Sequence, residues 1–215
     1  MNSAKVSALV ILALAVLPGA AAALTTQHLA TDAELLALIS DTLFVAEGRI
    51  GDLGGAATFE LDLGASTAAP SQTANYAWVG GRQEPFTLTY NNVTRVVTFS
   101  LGGHTLTYTT PYMDFGDMFV RTRAVNVGTS VVVNDLVLNG VGIGDQSSAT
   151  GDGLDILWIS EHAIANGFTL TGVATLSWTG SPPTQSRLAF QIKVAKLAEV
   201  GVEGSTWGGI KSLYR

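Results

Sequence analysis

The fold is decided by Phe168–Val194, FTLTGVATLSWTGSPPTQSRLAFQIKV. In its first arm Phe168, Leu170, Gly172, Ala174, Leu176 and Trp178 share one face, and Thr169, Thr171, Val173, Thr175 and Ser177 share the other. In its second arm Leu188, Phe190, Ile192 and Val194 alternate with Ala189, Gln191 and Lys193. A period of two places successive side chains on opposite faces of a strand, with one face buried. The connector holds Gly180, Pro182 and Pro183, and proline has no N–H to give to a ladder. The expectation is a large antiparallel β-hairpin on which the shorter upstream strands pack.

Upstream, the same alternation recurs in short runs. Ala57–Leu63 carries Phe59, Leu61 and Leu63 against Glu60 and Asp62, which predicts a strand with one wet face. Further strands are expected at Asn75–Val79, Phe86–Tyr90, Arg95–Leu101, His104–Thr109, Met118–Val125, Ser130–Leu138 and Ile156–Ile159. Gly64–Thr73 and Gly140–Asp155 read as loops, and Gly102-Gly103 as a hairpin turn. No helical crossover separates the strands. The fold class is therefore all-β, an antiparallel β-sandwich with jelly-roll-like character. Thr31 followed by Glu34 is a capping-box pattern ahead of an apolar run, which predicts one short helix over Thr31–Ile39, with a polar-capped strand as the alternative.

The N-terminus reads as a secretory signal over residues 1–23. Lys5 supplies the positive charge, Val6–Leu17 the short apolar run, and Ala20–Ala23 the small residues of a cleavage site. A buried helix is the alternative. No later stretch is long enough for a transmembrane helix. Residues 24–56 form an N-terminal segment with the short helix, 57–196 the sandwich, and 197–215 a linker and C-terminal tail. The 215 residues suffice for a core without disulfides, and there is no cysteine, which removes thiol catalysis and thiolate metal sites. An exported chain without disulfides leans bacterial. The net charge is −6, and no Lys or Arg lies between Arg123 and Arg187, which argues against nucleic acid as a partner.

Candidate chemistry is sparse. His28, His104 and His162 lack metal-ligand spacing, and no G-x-S-x-G elbow occurs. Glu84, Asp114, Asp117 and Glu161 are the carboxylates from which a glycan hydrolase pair would have to be drawn. Asp145, Asp152 and Asp155 lie in a Gly/Asp/Ser stretch that reads either as calcium ligands or as a solvated loop. Trp78 and Tyr112 are the candidates for a sugar-stacking platform, with core packing as the other reading of Trp78. Trp158 and Trp178 read as core. At the C-terminus, Trp207, Ile210, Lys211, Leu213, Tyr214 and Arg215 read either as a sorting or attachment signal or as a frayed end.

GFTLTGVATLSWTGSPPTQSRLAFQIKV, preceded by DMFVRTRAVNV, VNDLVLNG and GDGLDILWI, resembles the choice-of-anchor group of bacterial surface proteins, type W in particular. The likeness covers Thr58–Lys196, with ATFELDLG and PFTLTYNN as the start of the domain. It implies an exported β-rich ectodomain with no catalytic residues, whose homologues end in different sorting tails. The chain lacks the PEP-like motif, hydrophobic helix and basic cluster of one common member type. Its TWGGIKSLYR ending is similar to short Trp-Gly…Tyr-Arg endings of other exported proteins. The function expected is a non-catalytic secreted or surface protein with a binding or structural role. Its expected partners are the export and sorting machinery and an extracellular glycan or another surface protein, and calcium is the one cofactor considered. A carbohydrate-binding module, an extracellular glycan hydrolase and a self-assembling matrix subunit are the alternatives.

Overall fold

The computed structural model describes residues 24–51, 59–113, 115–160 and 164–198. The expected signal segment, the tail, Asp114, Glu161 and His162 lie outside them. Fourteen strands and one helix are present among the described residues. In chain order they are β1 (Thr25–Leu29), α1 (Asp32–Leu38), β2 (Ile39–Ile50), β3 (Phe59–Ser66), β4 (Ala69–Asn75), β5 (Gln83–Asn91), β6 (Val96–Leu101) and β7 (His104–Thr109). There follow β8 (Asp117–Ala124), β9 (Thr129–Leu138), β10 (Val141–Gly142), β11 (Ser147–Thr150), β12 (Gly153–Ser160), β13 (Phe168–Trp178) and β14 (Leu188–Leu197). A 3-10 turn at Ile164–Asn166 precedes β13.

Two antiparallel sheets pack sandwich-like. The first runs β1-β12-β8-β14-β2-β3-β4, and the second runs β10-β9-β13-β5-β6-β7, with β11 also on β9. The two arms of the opening stretch are strands with the expected faces: Phe168, Leu170, Ala174 and Leu176 are buried, as are Leu188, Phe190, Ile192 and Val194. They do not form a hairpin. β13 lies between β5 and β9 in the second sheet, whereas β14 lies between β2 and β8 in the first. Alternation fixes which face of a strand is apolar, but not which neighbour shares its ladder. The connector instead crosses from one sheet to the other and docks on the end of β2. The amide and hydroxyl of Ser186 donate to the Gly51 carbonyl at 2.8 and 2.7 Å. Gly51 has φ +83°, and a Cβ there would lie 2.5 Å from the Gln185 amide nitrogen, so both conformation and space demand glycine.

The first sheet also takes in residues that the sequence left in an N-terminal segment. β1 pairs with β12, and the twelve-residue β2 pairs with both β14 and β3. β2 is buried from Leu43 to Ile50 on both faces, so it shows no clean alternation to read. β4 occupies part of the expected Gly64–Thr73 loop, while residues 76–79, expected to be a strand, are not in one.

The main core lies between the sheets, with Phe44, Leu63, Leu88, Phe99, Leu138, Leu170 and Phe190 among its largest members. A smaller one lies on the outer face of the first sheet. There Leu35 of α1 packs with Leu29, Phe119, Ile156 and Ala195. The helix is short, and its capping box fixes it. The Glu34 amide donates to Thr31 Oγ1 at 3.2 Å, and the Thr31 amide donates to Glu34 Oε2 at 3.0 Å. No helix among the described residues is long and apolar enough to cross a membrane.

Candidate functional site

Two polar clusters stand out, and both arise from the register of the first sheet. In the first cluster, Thr26 and His28 share one face of the edge strand β1, beside Asp155 of β12. His28 Nδ1 lies 2.7 Å from Asp155 Oδ1, and Nε2 lies 3.3 Å from Asp145 Oδ1. Thr26 Oγ1 donates to Asp145 Oδ2 at 2.9 Å, and the Ser148 amide donates to Asp155 Oδ2 at 2.9 Å. Asp145 belongs to the loop between β10 and β11 of the opposite sheet, so the imidazole ties the edges of the two sheets together. The hydrogen bond to Asp155 raises the His28 pKa above 6.5; burial opposes this, and Asp145 adds to it.

A His with a raised folded-state pKa stabilises most when protonated, below its unfolded value near 6.5. That contribution is lost as pH rises through the folded midpoint. We expect the His28 ring signals to titrate above 6.5 and hydrogen exchange of the β1 amides to quicken above that midpoint. His28→Asn should abolish the pH dependence; a β1 exchange profile unchanged by the substitution would refute the clamp.

This cluster recruits two of the three calcium candidates and leaves out the third. Asp145 and Asp155 face His28, whereas Asp152 accepts from Arg123 Nη2 at 3.0 Å. Among the described residues no group of three or more His, Cys, Asp or Glu side chains is arranged to hold a metal ion. Asp145 also borders an open depression of 590 Å3 with Asn134, Asp135 and Gln146. The expected long loop is partly β10 and β11, and its aspartates serve those strands and their neighbours.

The second cluster runs across the outer face of the first sheet. Arg121 of β8, Gln191 of β14, Glu47 of β2 and Asp62 of β3 are register partners in one continuous row. Glu47, Arg49 and Asp62 are all buried, contrary to the wet face expected of β3 at Asp62. Arg49 bridges the two carboxylates, with Nη1 at 3.1 Å from Glu47 Oε2 and Nη2 at 2.9 Å from Asp62 Oδ2. Gln191 Nε2 donates to Glu47 Oε1 at 2.7 Å. Burial pushes the Glu47 carboxyl up despite these partners. At the end of the row, Arg121 grips Asp32 of α1 with two bonds, Nε to Oδ1 at 2.6 Å and Nη2 to Oδ2 at 2.7 Å. This fork lowers the Asp32 pKa, and burial opposes it. Beside it lies Lys193, whose pKa falls through burial and then through the nearby Arg121 charge.

The remaining sequence candidates fall elsewhere. Trp78 is buried at 5% exposure, donates its indole N–H to the Arg49 carbonyl at 3.0 Å and meets Tyr76 edge-on, so its ring face is closed to a sugar. Tyr112 is exposed, next to exposed Met113. Trp158 is half-buried on the outer face rather than in the main core; it stacks on Phe119 and donates to Asp117 Oδ2 at 2.8 Å. Glu84 of the second sheet pairs with Arg82, and Asp117 of the first accepts from the Trp158 indole. His104 packs edge-on against Tyr76.

Sequence reading missed the outer-face row altogether. Its only signals are the outward positions Glu47/Arg49, Arg121/Arg123 and Gln191/Lys193 on separate strands, and these become one cluster only once the strands are in register. No protein-family model matches the chain, and neither does any curated protein sequence.

Proposed function

We propose that this protein is an exported, non-catalytic β-sandwich displayed at a bacterial surface, where it binds a partner or builds structure. One observation supports the non-catalytic part. Most ionisable side chains of the described clusters are tied to one another as scaffold: Arg49 to Glu47 and Asp62, Arg121 to Asp32, Arg123 to Asp152, Arg82 to Glu84, and His28 to Asp145 and Asp155. Groups held in such pairs are poorly placed to act as a proton donor and acceptor on a substrate. Export rests on residues 1–23, and attachment rests on the Trp207–Arg215 ending and on the resemblance to choice-of-anchor surface proteins. A jelly-roll arrangement belongs to the same proposal. Its support is the way the chain alternates between sheets from β7 to β8 to β9 and from β12 to β13 to β14.

Localisation tests the display reading. The full-length chain should be retained at the cell surface, and a truncation ending at Glu203 should be released or mislocalised. Equal retention of both forms would remove the tail from the mechanism.

A further inference from the structure

The outer face of the second sheet carries hydroxyls in two directions at once. β13, β5, β6 and β7 are neighbours there. Their registers set Thr171, Thr87, Ser100 and Thr105 in one row across the strands, and Thr169, Thr89, Thr98 and Thr107 in the next. We propose that this face binds a crystalline lattice of water, the surface of ice.

Regularity is what selects that partner. Strands lie about 4.8 Å apart, and side chains on one face recur about every 6.7 Å along a strand. The rows therefore repeat on a small mesh, on the scale of the water spacings in ice. Every member is exposed or half-buried, and α1 packs on the other sheet. Ser100 and Thr105 share a hydrogen bond of 3.1 Å, and the Thr107 hydroxyl reaches Gln72 Oε1 at 3.4 Å. The hydroxyls of Thr87, Thr89, Thr98, Thr169 and Thr171 have no partner among the described residues, so each can give one hydrogen bond and accept two outside the chain. No Asp, Glu, Lys, Arg or aromatic residue stands at an outward position of these four strands. Nearby charges lie off the array: Arg82 pairs with the buried Glu84, Arg95 is in the β5–β6 turn, and Asp135 is where β9 bulges. The outer face of the first sheet, by contrast, carries Glu47, Arg49, Arg121 and Lys193.

Other occupants suit this face less. A charged ligand finds no counter-ion on it, and a sugar surface finds no ring on which to stack. A second copy would desolvate the hydroxyls, at a cost wherever no hydrogen bond replaces water, and would meet no aromatic, Met or Arg anchor. Ice presents water to every hydroxyl. Its molecules are already immobile, so the entropy spent on ordering a bridging water is not spent again. The threonine methyls add apolar contact beside each hydroxyl.

This inference gives the binding role proposed above its partner and uses neither export nor the tail. A failed localisation test leaves it standing, and a face that ignores ice leaves display standing. The test freezes a dilute solution of the full chain slowly onto a cold surface and compares protein in the ice with protein in the liquid. Nanolitre osmometry then reads the gap between the melting and freezing points. The full chain should enter the ice and open such a gap, whereas ordinary solutes stay in the liquid. Thr89→Tyr with Thr98→Tyr raises two rings in mid-array, and tyrosine suits a strand. The protein's melting temperature should hold while ice uptake and the gap are lost. Thr171→Lys, which sets a charge on the array, should lose both as well. Leu36→Tyr, at an exposed site on α1, should keep both. The proposal is overturned if the full chain is excluded from ice, or if both folded array variants enter it undiminished. Sedimentation with microcrystalline cellulose or chitin, without entry into ice, would overturn it in favour of a polysaccharide lattice. A dimer dispersed by the double tyrosine variant, again without entry into ice, would overturn it in favour of a second copy.

Discussion

Replacing Arg49 with methionine destabilises the protein by about 3–5 kcal/mol at pH 7, the usual cost of stripping one partner from a buried ion pair. Arg49 is 6% exposed and stands between Glu47 and Asp62, at 3% and 2%. Methionine keeps most of the volume and removes the charge, so the loss reports on electrostatics rather than on a cavity. Two buried carboxylates are then left without their cation. The outcome has a second, sharper signature. Burial already holds the Glu47 pKa above its ordinary value, and losing Arg49 moves it further up. A carboxyl with a raised folded-state pKa binds more protons folded than unfolded, so the variant gains stability as pH falls through that folded value. Urea denaturation should therefore find Arg49→Met less impaired at mildly acidic pH than at neutral pH. Glu47→Gln in the same background should recover much of the loss at pH 7, because the amide removes one of the two stranded charges. A variant equally unstable at both pH values, and not rescued by Glu47→Gln, would show that packing rather than charge is what Arg49 supplies.

The same network shows where sequence reading ended. Thr31 and Glu34 lie three residues apart, so the helix cap was legible from the chain alone, and α1 forms where that spacing placed it. The faces of β13 and β14 were legible for the same reason, because period two is a local property. Their partnership was not. Two good strands joined by nine residues suit a hairpin or a crossing between sheets, and the choice depends on where Ser186 finds the Gly51 carbonyl, 135 residues away in sequence. β2 was illegible for a different reason. Its inner face meets the main core, while Glu47 and Arg49 on its outer face are buried by pairing, so burial is continuous and alternation carries no signal. The polar row from Arg121 to Asp62 draws one residue from each of four strands, and it exists only in the assembled register. His28 looked isolated for want of a second histidine, yet its partners are carboxylates 117 and 127 residues away.

Phe190→Ala is expected to cost about 3–5 kcal/mol, the usual range for an aromatic removed from a closed core. Phe190 is fully buried near the start of β14, with its ring 6.0 Å from Phe86 of the second sheet and 6.2 Å from Trp78, centroid to centroid. It thus fastens the two sheets where the opening stretch crosses between them. Its register partner is Gly48, and the pairing explains why glycine stands inside a long buried strand. A Cβ at residue 48 would lie 2.4 Å from Phe190 Cε1 and 2.9 Å from Trp78 Cζ2. Both rings are wedged, so neither can swing clear, and Gly48→Ala should cost about 1–3 kcal/mol by overpacking. The two substitutions act on one space, which makes their combination the decisive measurement. With Phe190 cut back to alanine, the new methyl enters a cavity in place of a ring edge. The double variant should then be more stable than the sum of the single losses predicts, by about 1–2 kcal/mol, within the coupling range of touching core residues. Strict additivity in urea denaturation would mean that Gly48 is required for its backbone and not for the room it leaves. Coupling of the expected sign would instead show that the glycine and the phenylalanine share one space, with the small residue on β2 making the room that lets β14 carry an aromatic ring into the inter-sheet contact.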